Sequence, residues 1–363
     1  MPEIEGAEIC PHFGTCGGCT LYNLSPDTYL AHKSSVLEAA LRRAGFPDIA
    51  LHRIAATARG ERRRMDLAAR RTQSGMVLGL HRQRSAEVVN LSTCLVLHPT
   101  LVSLFSPLRD LLRRLQCLRR EASVIANLLD SGPDILLRTD ASLTLSDRLA
   151  LTEFARTHAL PRIAWAHGKD EPEPIVVLRP PSTTLSGIAV TPPPGAFLQA
   201  SACGEAAIIS AVLAALPSKG RIAELYAGCG SMTFALARKA RVAAWEGDAA
   251  SASALRSAAN NAGLAGRIEV TQRDLARQPL QANELAAFAL VVLDPPFAGA
   301  AAQVRNIATA KVPVVIYVSC NPATLSRDAR TLRQVGYRLA STQPIDQFLW
   351  SEELESVSTF VIA

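Results

Sequence analysis

RIAELYAGCGSMTFALARKA, residues 221–240, decides the fold. RIAELY has the apolar make-up of a buried strand, Gly228 and Gly230 break it, and the following residues have helical spacing. The same alternation repeats outward: RVAAWE and a helix to Ala262, RIEVTQ, FALVVL, a helix over about 300–310, then VPVVIYVS. Strands alternating with helices specify a doubly wound, mostly parallel α/β sheet. Two β-like runs near 336–341 and 357–362 are expected as an antiparallel hairpin at its edge. Upstream, residues 28–44 read as a helix stopped by Gly45 and Pro47. From there to about 190 short β-like runs surround helices near 100–120 and 147–158, an α+β pattern. EPEP at 171–174, RPP at 179–181 and TPPPG at 191–195 place a boundary near 190, giving domains 1–190 and 191–363.

Composition bounds the rest. A chain of 363 residues, 48% hydrophobic with mean hydropathy +0.15, buries enough apolar surface to fold, which excludes a disordered protein. No run of roughly 18 residues escapes a charge or proline, and MPEIEGAEIC is acidic where an export signal is basic. A cytoplasmic protein without a membrane span is expected, and a monomer. The net charge is +6, and 33 of the 38 basic residues are Arg. Arg42 to Arg84 holds eleven Arg against three acids, a local excess of +8. Arginine's planar fork suits phosphates and stacked bases, so the stretch reads as a footprint for nucleic acid. The competing reading is a solvated charged face.

Eight cysteines in a reducing compartment are thiols or ligands. CPHFGTCGGC sets Cys10, Cys16 and Cys19 at x5 and x2 spacing, with glycines that let the backbone fold tightly around a bound centre. Cys94 is the candidate fourth ligand, and the set suits an iron-sulfur cluster or structural zinc, which spacing does not separate. A CxxC redox pair is a further reading, weakened because CGGC follows no strand pattern. Cys117 reads as a core or helix-surface residue.

The glycine loop Glu224–Ser231 is a cofactor loop, but Thr233 stands where a dinucleotide fingerprint wants a third Gly. Glu246, ending the second strand, suits two ribose hydroxyls, and Asp274, after the third, suits an adenine amine. Together they describe a pocket for S-adenosylmethionine. VVLDPPFAG places Asp294 at the carboxyl end of the fourth strand, which fits a base methyltransferase without choosing the atom. In YVSCNPATLSRD, Cys320 ends the fifth strand while Asn321 and Pro322 open a helix. A thiol at a helix N-terminus is expected to have a lowered pKa and to act as a nucleophile.

CPHFGTCGGC with Cys94, FLQ at 197–199, ELYAGCGS, DPPFAG, SCNPATLSRD and ELES then occur in one order. In this the chain resembles the bacterial RNA uracil-5-methyltransferases over nearly its whole length, and members without the N-terminal TRAM barrel most closely. The resemblance implies a class I methyltransferase Rossmann-like sheet preceded by an α+β domain carrying a 4Fe-4S cluster on Cys10, Cys16, Cys19 and Cys94. It implies cofactor contacts from Gln199, Tyr226, Glu246, Asp274 and Asp294, a nucleophile at Cys320, a general base at Glu355, and an RNA substrate, ribosomal rather than transfer RNA. Two departures stand out: Phe297 replaces an Arg of the family's DPPR-type motif, and LWS at 349–351 replaces a PHT.

The chemistry needs these groups. Carbon 5 of uracil is a poor nucleophile until a thiolate adds at carbon 6, and a base must afterwards remove the carbon-5 proton. Glu352 and Glu353 rival Glu355 for that role. Other readings are transfer RNA as substrate, a cytosine-5 or exocyclic-amine methyltransferase, and a non-catalytic iron-sulfur RNA-binding protein. A cytosine-5 enzyme would usually carry Cys where Phe297 stands.

Overall fold

The computed structural model describes residues 10–362. Its contacts divide the chain into two units, neither continuous in sequence. One runs to Asn23 and takes in Ala58–Pro181 and Leu349–Ser351; the other comprises Leu24–Thr57, Ser182–Phe348 and the residues from Glu352 onward. The single boundary expected near 190 is therefore corrected, because the helix Pro26–Arg43 belongs to the second unit. Its apolar face places Leu37 and Leu41 in one core with Val291, Tyr317 and Leu332. Arg330 and Arg333 donate to the carbonyls of Arg43 and Gly45, which closes the helix end.

The first unit is α+β. Its six-stranded sheet has the order Gly75–Gly79, Arg64–Thr72, Glu121–Leu129, Gly132–Thr139, Arg162–His167, Glu173–Val177. Only Gly132–Thr139 and Arg162–His167 run parallel, joined through the helix Leu145–Thr157. Asp147 caps that helix with Thr144, and its carboxylate also accepts the Gln116 and Cys117 N–H groups. Cys117 is a core residue.

The second unit carries an eight-stranded sheet ordered Ala55–Ala56, Arg338–Asp346, Glu355–Val361, Val314–Ser319, Leu290–Leu293, Ile222–Leu225, Val242–Glu246, Ile268–Gln272. The five strands from Val314 to Ile268 in this order are parallel, and Glu355–Val361 runs antiparallel to both neighbours. Strand order reverses at Ile222–Leu225, so the crevice outside its carboxyl end is where such a sheet takes a ligand. The central strands are buried on both faces, Leu290–Leu293 completely. Among the described residues no helix is long and apolar enough to cross a membrane.

Candidate active site

Every strand that ends at the crevice contributes a group. Tyr226 leaves Ile222–Leu225 with φ of 64°, a left-handed conformation that a non-glycine residue adopts at a cost. Gly228 follows at φ 57° and Gly230 at φ 104°. A Cβ on Gly230 would stand 2.5 Å from Leu255 and 2.7 Å from Phe234, so packing requires glycine there. A Cβ on Gly228 would meet nothing within 4 Å, and the open space above that backbone is room for a ligand. The cleft beside it is lined by Gln199, Tyr226, Gly228, Cys229, Met232 and Asp294.

Glu246 turns both oxygens back onto backbone, accepting the Gly228 N–H at 2.7 Å and the Asp248 N–H at 2.8 Å. Its carboxylate thus fixes the glycine loop. Asp274 caps its own turn, accepting the Ala276 N–H at 2.9 Å, and stays exposed. Glu224, which sequence reasoning read only as part of the loop, is fully buried, with the Thr233 hydroxyl and N–H as the donors that favour its charged form. Burial pushes its carboxyl up to about 8.

Cys320 and Glu355 are brought together by strand register. Ser319 pairs with Ser356 across antiparallel strands, so the next residue on each side lies at the same edge. Glu352 and Glu353 are exposed, whereas Glu355 is buried, and its charge acts on the thiol more strongly than that of Glu353. Asn321 caps the helix Pro322–Gln334 as expected, accepting the Ala323 N–H. The expectation of a lowered thiol pKa is overturned: burial, then the charges of Glu355 and Asp294, push Cys320 up to about 12. These opposing charges come from other strands, which local sequence around the helix terminus does not reveal. Burial also raises the carboxyls of Asp294 and Glu355, and at Glu355 the charge of Asp294 adds to it.

Two residues that sequence reasoning missed hold this site. Gln347 donates to Glu355 Oε2 at 2.7 Å and to Gln199 Oε1 at 2.9 Å, and Gln199 donates to Asp294 Oδ2 at 3.0 Å. Lys33, 1% exposed, donates to Asp346 Oδ1 at 2.5 Å and to the carbonyls of Glu353 at 2.7 Å and Phe348 at 3.0 Å. It clamps both ends of the turn between Gln347 and Glu355. The DPPF loop is braced likewise: Asn321 Nδ2 donates to the Phe297 carbonyl at 3.1 Å and Arg327 to that of Ala298 at 2.9 Å. The Phe297 ring itself is 59% exposed.

In the first unit, Cys10, Cys16, Cys19 and Cys94 lie within electrostatic range of one another. His12 ties their two segments together: its Nε2 accepts the Ser92 N–H at 3.0 Å, two residues before Cys94. Gly17 is obligatory, since a Cβ would stand 2.8 Å from the His81 carbonyl. Cys16 Sγ accepts the Gly18 N–H, and Cys94 accepts from Val96 and Leu97. Burial raises the thiols of Cys16, Cys19 and Cys94, Cys19 to about 12, with repulsion among the sulfurs adding to it. Among the described residues no group of three or more His, Cys, Asp or Glu is arranged to hold a single metal ion.

The Arg42 to Arg84 stretch is divided between the two units. Arg42 and Arg43 belong to the second unit, Arg59 to Arg84 to the first. Arg71 spends its guanidinium on the carbonyls of Leu112, Arg113, Leu115 and Leu118, and burial lowers the pKa of Arg64. Arg82 pairs with Glu87 and Arg70 with Glu121. Arg70 and Arg138 line a cleft of about 550 Å³ together with Asp66, Glu121 and Asp140, so its charges nearly cancel. Arg53, Arg59 and Arg84 remain exposed.

Residues 193–361 match the family described as tRNA (uracil-5-)-methyltransferase. An uncharacterized RNA methyltransferase of Mesorhizobium japonicum is 38% identical over 98% of this chain and 84% of its own length. The 23S rRNA (uracil(1939)-C(5))-methyltransferase RlmD of Edwardsiella ictaluri is 34% identical over 98% of this chain and 81% of its own. The crystal structure of Pyrococcus abyssi tRNA (uracil-54, C5)-methyltransferase with S-adenosyl-L-homocysteine shares the fold: TM-score 0.70, 19% identity, covering 96% of this chain and 86% of that one.

Proposed function

Because the chain belongs to the RNA uracil-5-methyltransferase family and is an S-adenosylmethionine-dependent enzyme of that class, we propose that it methylates carbon 5 of one uridine in 23S rRNA through a covalent Cys320–uracil adduct that Glu355 resolves. The register that brings Glu355 and Cys320 to one end of their strands, with Asp294 of the glycine-loop cleft in electrostatic range of both, carries this reading. The relative named for 23S rRNA favours ribosomal RNA over transfer RNA.

The residues fit the methyl donor: open space over Gly228, the Gln199–Asp294 cleft, and Glu246 holding the loop. When bound, S-adenosylmethionine supplies an activated methyl group and a sulfonium charge that offsets the surrounding carboxylates. Cys320 Sγ, deprotonated, adds to carbon 6 of the flipped-out uracil, and the electron pair moves to the carbon-4 oxygen, leaving carbon 5 nucleophilic. After methylation Glu355 takes the carbon-5 proton, the carbon 5–carbon 6 double bond re-forms, and the carbon 6–sulfur bond breaks to release the thiolate. The base must therefore be ionised, which its burial opposes, so turnover rises with pH through its raised pKa.

Cys10, Cys16, Cys19 and Cys94 would hold a 4Fe-4S cluster. The four thiols are close enough for their charges to act on one another, and two of them, Cys16 and Cys94, accept backbone N–H groups, as cluster thiolates do. Such a cluster would tie the Cys10–Cys19 loop to the segment around Cys94. Mass-spectrometric mapping of 5-methyluridine in 23S rRNA and in tRNA from cells with and without the gene tests the substrate. Loss of one 23S rRNA modification is expected; loss confined to tRNA would overturn the ribosomal assignment.

A further inference from the structure

The proposed mechanism needs Glu355 to be both buried and basic, two requirements that oppose one another. Burial alone favours the protonated acid, which cannot remove a proton. The site answers this with the Ser356 N–H and with one side-chain amide. Gln347, 2% exposed, has two amide hydrogens, and both are committed: one to Glu355 Oε2 at 2.7 Å, one to Gln199 Oε1 at 2.9 Å. Its own oxygen accepts the Ala200 N–H at 3.2 Å. That arrangement is directional. Turning the amide over would press its oxygen against the Glu355 carboxylate and set its NH2 group against the Ala200 donor. Gln199 is oriented in turn, since its oxygen is taken and its Nε2 donates to Asp294 Oδ2. The two amides thus form one ordered line between the two buried carboxyl groups, each receiving one side-chain hydrogen bond, with the Ser356 N–H adding to the support of Glu355.

We propose that Gln347 is a positioning residue for the proton-removal step, holding Glu355 Oε2 in its charged, accepting role so that Oε1 is the oxygen left to take the carbon-5 proton of the methylated adduct. Two independent observations meet here. Glu355 Oε1 is buried with no hydrogen-bond partner among the described residues, a costly arrangement unless something visits it. The amide that fixes the other oxygen is itself fixed on both remaining sides. This rests on the reading of Cys320 and Glu355 given above and adds to it a group that never touches the uracil. In the step concerned, the carbon 5–hydrogen bond breaks toward Glu355 Oε1, its electron pair forms the carbon 5–carbon 6 double bond, and the Cys320 sulfur leaves with the pair of the broken carbon–sulfur bond.

The test separates adduct formation from adduct resolution. Gln347→Met keeps the length of the side chain and removes both donors. Wild type, Gln347→Met and Glu355→Gln are mixed in single turnover with S-adenosylmethionine carrying a labelled methyl group and an unmethylated 23S rRNA transcript, or a tRNA transcript if mapping assigns tRNA. Denaturing gels report the adduct, and product release is followed from pH 6 to 9. A hydrogen bond to a charged group corresponds to roughly a ten- to hundred-fold change in equilibrium. Gln347→Met is expected to form adduct within about twofold of the wild-type rate and to resolve it about ten- to a hundred-fold more slowly at pH 7. The deficit should shrink toward pH 9, because the base then ionises without help. Equal slowing of formation and resolution at every pH would show a merely structural role and overturn the proposal, as would wild-type resolution. If Gln347→Met does not fold, Gln347→Asn, which draws the amide back from Glu355, carries the same expectation. An absence of adduct with both wild type and Glu355→Gln would instead refute the reading of Cys320 and Glu355 on which the proposal rests.

Discussion

Replacing Lys33 by Met should destabilise the protein far more than the loss of one surface charge. The ammonium is 1% exposed and its partner Asp346 is not exposed at all. Three acceptors converge on Nζ: Asp346 Oδ1 at 2.5 Å, the Glu353 carbonyl at 2.7 Å and the Phe348 carbonyl at 3.0 Å. Burial pulls the lysine pKa down, and the charge of Asp346 works against that. Methionine fills the space but leaves the carboxylate in a dry site with the Tyr29 hydroxyl as its remaining side-chain donor. Breaking a buried pair from one side costs about 3–5 kcal/mol, most of it the penalty of the orphaned charge. For a domain of 150–250 residues each kcal/mol lowers Tm by about 2–4 °C, so a fall of about 6–20 °C is expected. Circular dichroism during thermal unfolding, under anaerobic conditions, measures it. The double variant Lys33→Met, Asp346→Asn removes the charge as well as its partner and should recover at least half of the loss, because replacing both members of a buried pair is often near neutral. A Tm for Lys33→Met within about 2 °C of wild type, or a double variant no better than the single, would refute the reasoning that the clamp is an ion pair whose members depend on each other.

Glu224→Gln should leave stability at pH 5 almost unchanged and raise it at pH 9. The native carboxyl titrates near 8 against an ordinary 4.5, so the stability it contributes is complete below 4.5 and is lost as pH climbs to about 8. The Tm difference between variant and wild type should therefore open across that window and level above it; a difference independent of pH would contradict the assignment. Protein purified anaerobically should be brown and hold about four irons and four sulfides, and Cys94→Ser should lose both. One equivalent of zinc without visible absorption would show that the thiols serve another centre.

The parallel sheet was legible because most of its strands are short apolar runs ending in a turn, and RIAELYAGCGS sets the crevice by itself. The candidate residues at strand ends could be read for the same reason. Lys33 also left a signal: Tyr29, Lys33, Leu37 and Leu41 form one row at four-residue spacing, and a lysine on a buried row needs a partner. Gln347 left none, since its neighbours Gln199 and Ala200 come from a loop 148 and 147 residues away and no local spacing announces them. Arginine misled in the other direction. Arg71 caps backbone carbonyls and Arg70 meets Glu121, uses that composition cannot distinguish from phosphate binding. The acidity of Cys320 was misjudged because the helix terminus is local, while its burial and the approach of Glu355 and Asp294 come from distant parts of the chain.

The central claim is that Cys320 attacks the uracil and Glu355 releases it. The most direct measurement is peptide and nucleotide mass spectrometry of the complex trapped when Glu355→Gln meets its RNA and S-adenosylmethionine. The account predicts a 5-methyluracil joined at carbon 6 to Cys320, and no adduct or methylated RNA when Cys320→Ala is used instead. Formation of 5-methyluridine by Cys320→Ala, or a crosslink to any other residue, would contradict it.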